Sequence, residues 1–438
     1  MTSPAARLVS VAEPGPPRGI RVVLDVRPLQ EPDRSPLTAA YLDGLLGAFD
    51  VTPLDGESFA LLLRSDLDDP TTRFAHLEIV GRRLLPPTHL LRTAALTIDP
   101  FVLRGASVGA AWRADAGGAA GAVYHAVGGL VPLASRLPVV VTLLDLAPWE
   151  LPAAYQRGAT GRFGQRLRGR LLRDAAAVIV GSDAVAASAR RLLHLRRDRL
   201  RVIPFAPRPA FAFWPASDGE SSAAAPTAAV TTDREAARHE RERLGLAERY
   251  LVYSGRYDAR QDLATLLRAI ELLAAAGRPD TIAADVPWPP RVLLVGASPD
   301  DRASLAKAAS RVDVGDTLAY APRLSDERLA RLVRGARAAI LPALSDATGI
   351  AALEAIACGT PVIASAVGAL PAIVGAAGIL VPPREPERLA SALSTVWADD
   401  RVHAHLVAIA RERAETNVRT WADVAADTRR VYAEVGIR

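Results

Sequence analysis

Residues 345–382 (SDATGIAALEAIACGTPVIASAVGALPAIVGAAGILVP) carry the side chains best suited to chemistry. An acid, Asp346, opens a loop, Gly349 stands where a helix should begin, and a second acid, Glu354, lies one turn inside it. The N–H groups of a first helical turn have no intrahelical partner and point outward, so the backbone at Gly349 and Ile350 can approach a diphosphate closely. The two acids would flank that anion, each able to accept from a sugar hydroxyl. A plainer reading stands beside this one, with Asp346 as a helix cap and Glu354 as a surface helix residue.

Elsewhere the chemistry-bearing residues are sparse. His125, in VYHAVGG, ends an expected strand on the cleft side, where it either touches an acceptor or serves as a hydrogen-bonded structural residue. None of the seven histidines has metal-ligand spacing, so no metal is expected, and His403 and His405 read as exposed helix residues. Cys358 is the only cysteine, which excludes a disulfide framework and suits a reducing cytoplasm. The net charge of +5 is modest and almost wholly arginine, Lys307 being the only lysine. With aromatics at 5% and no basic cluster interleaved with them, nucleic-acid binding is not expected.

These residues need a scaffold, and its outline is legible in the alternation of short Val/Ile/Leu runs with longer helical patterns. Buried strands are expected at 21–25, 122–125, 139–143 and 177–180, then at 250–254, 291–295, 338–341 and 361–364. Helices are expected at 155–173, 183–193, 262–275, 326–334 and 350–357. That order predicts an α/β chain of two Rossmann-like domains, with ligands bound between them at the carboxyl ends of their parallel sheets. At 438 residues two domains are the natural size. The expected boundaries are a frayed tail at 1–19, an N-terminal domain at 20–212, a linker at 213–247, a C-terminal domain at 248–414 and a returning helix at 415–438. Residues 214–232, rich in Ala, Ser, Thr and Pro, read as a flexible insertion, and a charged helix at 234–244 follows. No run of about 18 apolar residues suggests a membrane span.

The segment 345–382, above all LEAIACGTPVIAS and GILVP, resembles the signature of the retaining glycosyltransferases of family 4, which have the GT-B fold. The resemblance implies that Glu354 binds the ribose of a nucleotide and that Asp346 contacts the donor sugar. Residues 254–263 (SGRYDARQDL) are similar to the family's diphosphate-binding turn, which implies a phosphate role for Gly255 and Arg256. The family's lysine is replaced by Gln261, with Arg260 beside it as a substitute. In residues 139–146 (VVVTLLDL) the family's histidine is Leu144, and Asp145 is either a helix cap or an acceptor contact. In residues 202–211 (VIPFAPRPAF) the family's asparagine is Phe205. The family's glycine-rich loop is Ser35–Ala40 here and has no glycine.

The resemblance implies a nucleoside-diphosphate sugar as donor, a hydroxyl acceptor, no metal cofactor and a part in polysaccharide or glycoconjugate synthesis. Family members with lipid-linked acceptors dock a basic face on the membrane. Here the helix at 161–173 carries Phe163, Leu167 and Leu171 on one face and five arginines around it, which also fits an ordinary core-packed helix. Because several motif positions are changed at once, a non-catalytic GT-B protein that binds a nucleotide or a partner enzyme is the alternative. Convergence of Arg256, Arg260, Asp346 and Glu354 on one cleft favours the enzyme. Phe205 or Leu144 filling the sugar subsite favours the binder.

Overall fold

The computed structural model describes residues 19–86, 100–104, 121–128, 131–212, 228–280, 282–416 and 419–436. In the N-terminal lobe β1 (Arg21–Asp25), β2 (Ser58–Arg64), β3 (Ile79–Leu85), β4 (Ala122–Val127), β5 (Val139–Thr142), β6 (Ala177–Val180) and β7 (Leu200–Val202) form one sheet. Its order is β3-β2-β1-β4-β5-β6-β7, and every pairing is parallel. The C-terminal lobe repeats the plan with β8 (Leu251–Ser254), β9 (Val292–Val295), β10 (Leu318–Ala321), β11 (Ala338–Leu341), β12 (Val362–Ser365) and β13 (Gly378–Val381). Its order is β10-β9-β8-β11-β12-β13, again all parallel. Central strands such as AVIV in β6 and AAIL in β11 are buried along their whole length, as strands with helices on both faces must be.

Chain order reverses between β1 and β4 in one sheet and between β8 and β11 in the other. Crevices for ligands open beyond the strand ends at such points. The turn after β8 is Gly255-Arg256 and the loop after β11 leads to Asp346, so the topology itself carries both motifs to one place.

The expected strands at 21–25, 177–180 and 338–341 and the helices Asp183–Leu193, Asp326–Arg334 and Ile350–Ala357 have the same bounds in the structure. Others are corrected. The helix expected from 155 begins at Ala159, because Pro152–Tyr155 forms its own turn and Gly158 is extended (φ −106°, ψ 164°). The charged helix runs over Ala228–Arg243, so residues 228–232 are helical rather than part of a flexible insertion. Residues 1–18 and 213–227, the rest of the expected tail and insertion, lie outside the described residues. β2, β3, β7, β10 and β13 are not among the expected strands. β3 is an edge strand whose middle residues are exposed and partly arginine, and β7 has only three residues, so neither carries a strong apolar pattern.

The last helix, Trp421–Gly436, lies on the N-terminal lobe. Trp421 meets Tyr41 edge-on at 5.4 Å. Arg429 grips Glu57 in bidentate fashion at 2.9 and 2.6 Å. Among the described residues no helix is long and apolar enough to cross a membrane.

Candidate functional site between the lobes

A cleft of about 870 Å³ separates the two sheets' carboxyl ends. Gly255, Arg256, Arg260, Asp346, Ile350 and Glu354 line it from the C-terminal lobe, and Leu144 and Asp145 line it from the other. The structure thus brings six of the expected donor-side residues to one cavity, while Gly349 does not line it. How they are engaged differs from the expectation.

Asp346 organises the loop that holds it. Its Oδ1 accepts from the backbone N–H of Thr348 at 3.0 Å and of Gly349 at 2.7 Å, and from the Thr348 hydroxyl at 3.3 Å. The carboxylate therefore ties down the loop ahead of the helix rather than capping it, since the N-cap is Gly349 with no side-chain cap, and the residue also faces the cleft. Loss of water pushes its carboxyl above the usual range, and the loop's N–H groups pull against that. The Gly349 N–H, expected to meet a diphosphate, is already taken, which leaves Ile350 and Ala351 as the outward donors of the first turn. Gly349 itself is fixed by conformation. Its φ is +61°, and a Cβ would lie 2.3 Å from the Ile373 side chain.

Arg256 and Arg260 sit either side of Asp258, which no motif had pointed to. Arg256 Nε donates to Asp258 Oδ2 at 3.0 Å, and Arg256 is the more exposed of the two arginines. Arg260 Nε donates to Asp258 Oδ1 at 3.0 Å, and its Nη1 reaches across the cleft to Asp145 Oδ2 at 2.9 Å. Burial alone would lower the Arg260 pKa, but the hydrogen bond to Asp258 and the charges of Asp145 and Asp258 outweigh it and raise it. Burial likewise pushes the Asp258 carboxyl up, yet the Arg260 hydrogen bond and charge win and hold it at about 2. The backbone pins this turn to the donor loop: Leu344 N–H donates to Arg260 O, and Asp262 N–H to Pro342 O, both at 2.6 Å. The signal was present in the sequence, since an aspartate two residues from each of two arginines can pair with both.

Asp145 does serve as a cap, accepting from Ala147 N–H at 2.8 Å, and adds the ion pair to Arg260. Ser345 donates to Glu150 and Arg323 pairs with Asp33 at 2.7 Å, so these contacts join the lobes beside the Arg260–Asp145 pair. Ala347 and Ala369 are buried against core residues of the N-terminal lobe, including Leu146.

Glu354 is buried and held by a residue that sequence reasoning missed. Arg208 Nε donates to Oε1 at 2.6 Å and Nη2 to Oε2 at 2.9 Å, while Nη1 pairs with Asp326. The guanidinium also lies 4.7 Å from the Phe211 ring. The only sequence cue was an arginine fenced by two prolines in a connector that must run past the donor lobe.

His125 is not an acceptor contact. It is fully buried within β4, with Nδ1 2.6 Å from the Tyr432 hydroxyl and Nε2 2.8 Å from Thr142 Oγ1. Strand residues alternate between faces, and this one turns to the C-terminal helix rather than to the cleft. Burial pushes its imidazole from 6.5 down to about 3. The unfolded chain therefore takes a proton that the native chain refuses, and this share of stability, complete above 6.5, declines as pH falls toward 3. Tyr432→Phe should lower stability by about 1–3 kcal/mol by orphaning Nδ1. Thermal melting reads that loss, and an unchanged melting curve would refute the structural role.

Phe205 is also core, meeting Tyr41 edge-on at 5.4 Å, whereas Leu144 does line the cleft. The segment 35–40 forms the first turn of helix Pro36–Val51, and its Pro36, Leu37, Ala39 and Ala40 make an apolar cleft wall. Cys358 is half-buried behind the donor helix, with Sγ 3.7 Å from Phe211 O. His405 is exposed, but His403 is half-buried and pushed down to about 4 by burial. On helix Ala159–Asp174 Leu171 is buried, yet Phe163 is 56% exposed and shares the solvent side with Arg162, Arg166, Arg170 and Arg173.

Residues 248–399 match the family described as Glycosyl transferases group 1. Over 270 residues the chain is 32% identical to a D-inositol 3-phosphate glycosyltransferase of Xylanimonas cellulosilytica, covering 59% of this chain and 58% of that protein. The chain spans less than two thirds of the length of the curated relatives it matches. Its fold superposes on sucrose-phosphate synthase from Thermosynechococcus elongatus with a TM-score of 0.67 at 21% identity, covering 95% of this chain and 98% of the other. Anabaena Alr3699/HepE, solved in complex with UDP and glucose, gives 0.65 at 17% identity over 95% and 100% of the two chains.

Proposed function

We propose, from the match of residues 248–399 to the group 1 glycosyl transferases and from the GT-B fold, that the chain moves a sugar from a nucleoside diphosphate to an acceptor hydroxyl with retention of configuration. The observation that carries this reading is the convergence of Arg256, Arg260, Asp346 and Glu354 on one cleft between two parallel sheets. The bond from the sugar's anomeric carbon to the diphosphate oxygen breaks, and the acceptor oxygen bonds to that carbon on the same face. The acceptor's proton passes to the departing phosphate. The protein's work is then to stabilise charge on the diphosphate and to hold the sugar as it becomes cationic.

Arg256, exposed at the cleft, meets the phosphates, with the Ile350 end of the donor helix opposite it. Arg260 adds positive potential from behind and aligns Asp145 on the acceptor side. Glu354 accepts from the ribose hydroxyls, and Asp346 shapes the loop that contacts the donor sugar. Cationic side chains and a helix terminus supply the charge, so this reading needs no metal ion. The acceptor lies against the apolar wall of Leu37 and Ala40. The arginine stripe with exposed Phe163 suits peripheral contact with an anionic membrane face, and therefore a lipid-linked acceptor in glycoconjugate or polysaccharide synthesis at the cytoplasmic side.

UDP-glucose is the first donor to test, because a neighbouring structure holds UDP and glucose. Wild type should hydrolyse it slowly or transfer from it, and Glu354→Ala should weaken UDP binding about tenfold or more. Absence of UDP, GDP and ADP binding by calorimetry would falsify the proposal. Leu144 on the cleft wall favours a second reading, a nucleotide-binding protein without turnover. Tight UDP binding with neither hydrolysis nor transfer selects it.

A further inference from the structure

Arg208 is an odd residue to find against a ribose-binding carboxylate. It comes from the connector after β7, not from the donor lobe, and both of its contacts there are acids. A carboxylate has about four lone-pair sites, and a side-on guanidinium takes one on each oxygen. Glu354 is therefore held in one rotamer, with one acceptor site on each oxygen still open. Two open sites side by side match a vicinal diol. The ring of Phe211 and the carboxylate of Asp326 fix the guanidinium from two other sides, so the fork is set before any nucleotide arrives.

The geometry points to Arg208 as a positioning residue for the donor ribose, which sets the orientation and charge of Glu354 so that the carboxylate accepts both ribose hydroxyls. This rests on the donor-site reading above. Burial pushes the Glu354 carboxyl up, and Arg208 is what pulls it back. The charged groups facing Glu354 are Arg208 from the connector and Asp326 from helix Asp326–Arg334, and Asp326 pushes in the same direction as burial. Without Arg208 the carboxyl takes up a proton at higher pH. A protonated carboxyl spends one position as a donor and accepts less strongly, so the diol loses its match.

Calorimetric binding of UDP and 2′-deoxy-UDP to wild type, Arg208→Gln, Arg208→Lys and Glu354→Ala, from about pH 6 to about pH 8, separates the possibilities. Arg208→Gln should weaken UDP about ten- to hundredfold and shrink the preference for UDP over its 2′-deoxy analogue. On acidification its affinity should begin to fall at a higher pH than that of wild type. Arg208→Lys, which keeps the charge without the fork, should recover the wild-type pH profile but not the 2′-hydroxyl preference. It also decides the matter if Arg208→Gln melts early. UDP binding in Arg208→Gln as tight as wild type or tighter, with Glu354→Ala weakened, overturns the inference, the tighter case meaning that Arg208 competes with ribose. If Glu354→Ala binds UDP as wild type does, the donor-site reading itself fails.

Discussion

Arg260→Met is expected to slow sugar transfer by about two to three orders of magnitude while the chain stays folded. Arg260 is the cation between Asp258 and Asp145, and its charge also acts on Asp346. Losing it removes positive potential from a cleft that must take up a diphosphate and leaves those acids less compensated. Both effects raise the energy of the departing anion more than that of the bound substrate, so the turnover number should fall further than apparent affinity. Arg260→Lys keeps the charge but cannot bridge two carboxylates with a planar fork, and should retain much of the rate while losing about tenfold. A second signature is acid sensitivity. Asp258 is held at about 2 against an ordinary 3.8, so its contribution to stability is complete above 3.8 and disappears as pH falls toward 2. In Arg260→Met that pull is gone, so its deficit in stability against wild type should be largest above 3.8 and close as pH falls toward 2. Initial rates of UDP release from UDP-glucose test the first claim, and circular dichroism along an acid titration tests the second. Wild-type turnover in Arg260→Met would remove Arg260 from the chemistry.

The contrast between Arg256 and Arg208 explains how much of this site could be read from residues alone. Arg256 follows a fully apolar strand and a glycine, and the local order strand, turn, helix fixes where such a residue points. Much of what that local grammar positions was legible: the central strands of both parallel sheets, the donor loop, the acid inside its helix. Arg208 meets Glu354 across 146 positions of sequence, and Tyr432 meets His125 across 307. Such pairs depend on how the lobes and the last helix pack, for which no short pattern stands. His125 stayed open between an acceptor contact and a structural residue for that reason, since the face a side chain turns to depends on what packs there. The Asp346 carboxylate shows the opposite limit. Its spacing to Gly349 allowed both a cap and a ligand contact, and geometry makes it the anchor of the loop before the helix, so its influence on the sugar runs through the loop it shapes.

That dependence on loop shape gives Gly368 an importance out of proportion to its size. It lies in the turn after β12, with φ at +55°, and a Cβ there would sit 1.8 Å from the carbonyl oxygen of Asp346. The same carbonyl accepts from Ala369 N–H at 2.9 Å, so this turn is the backstop of the donor loop. Gly368→Ala cannot be accommodated by turning a side chain, because the obstacle is backbone. The loop must move away, taking with it the Asp346 contacts to Thr348 and Gly349 and the aim of the helix mouth at Ile350. A displacement of about 1 Å in a positioning element can cost about a hundredfold in rate. Stability should fall by about 2–4 kcal/mol, combining left-handed strain with weakened hydrogen bonds. Gly277 supplies the control, since its φ is +74° but a Cβ there would meet nothing within 4 Å. Gly277→Ala should therefore lose only the strain, about 1 kcal/mol, and turn over as wild type. Melting temperatures and transfer rates for the two variants separate strain from collision: if both lower the rate equally, the backstop is not what Gly368 provides, whereas a rate loss confined to Gly368→Ala ties turnover to the position of the Asp346 loop.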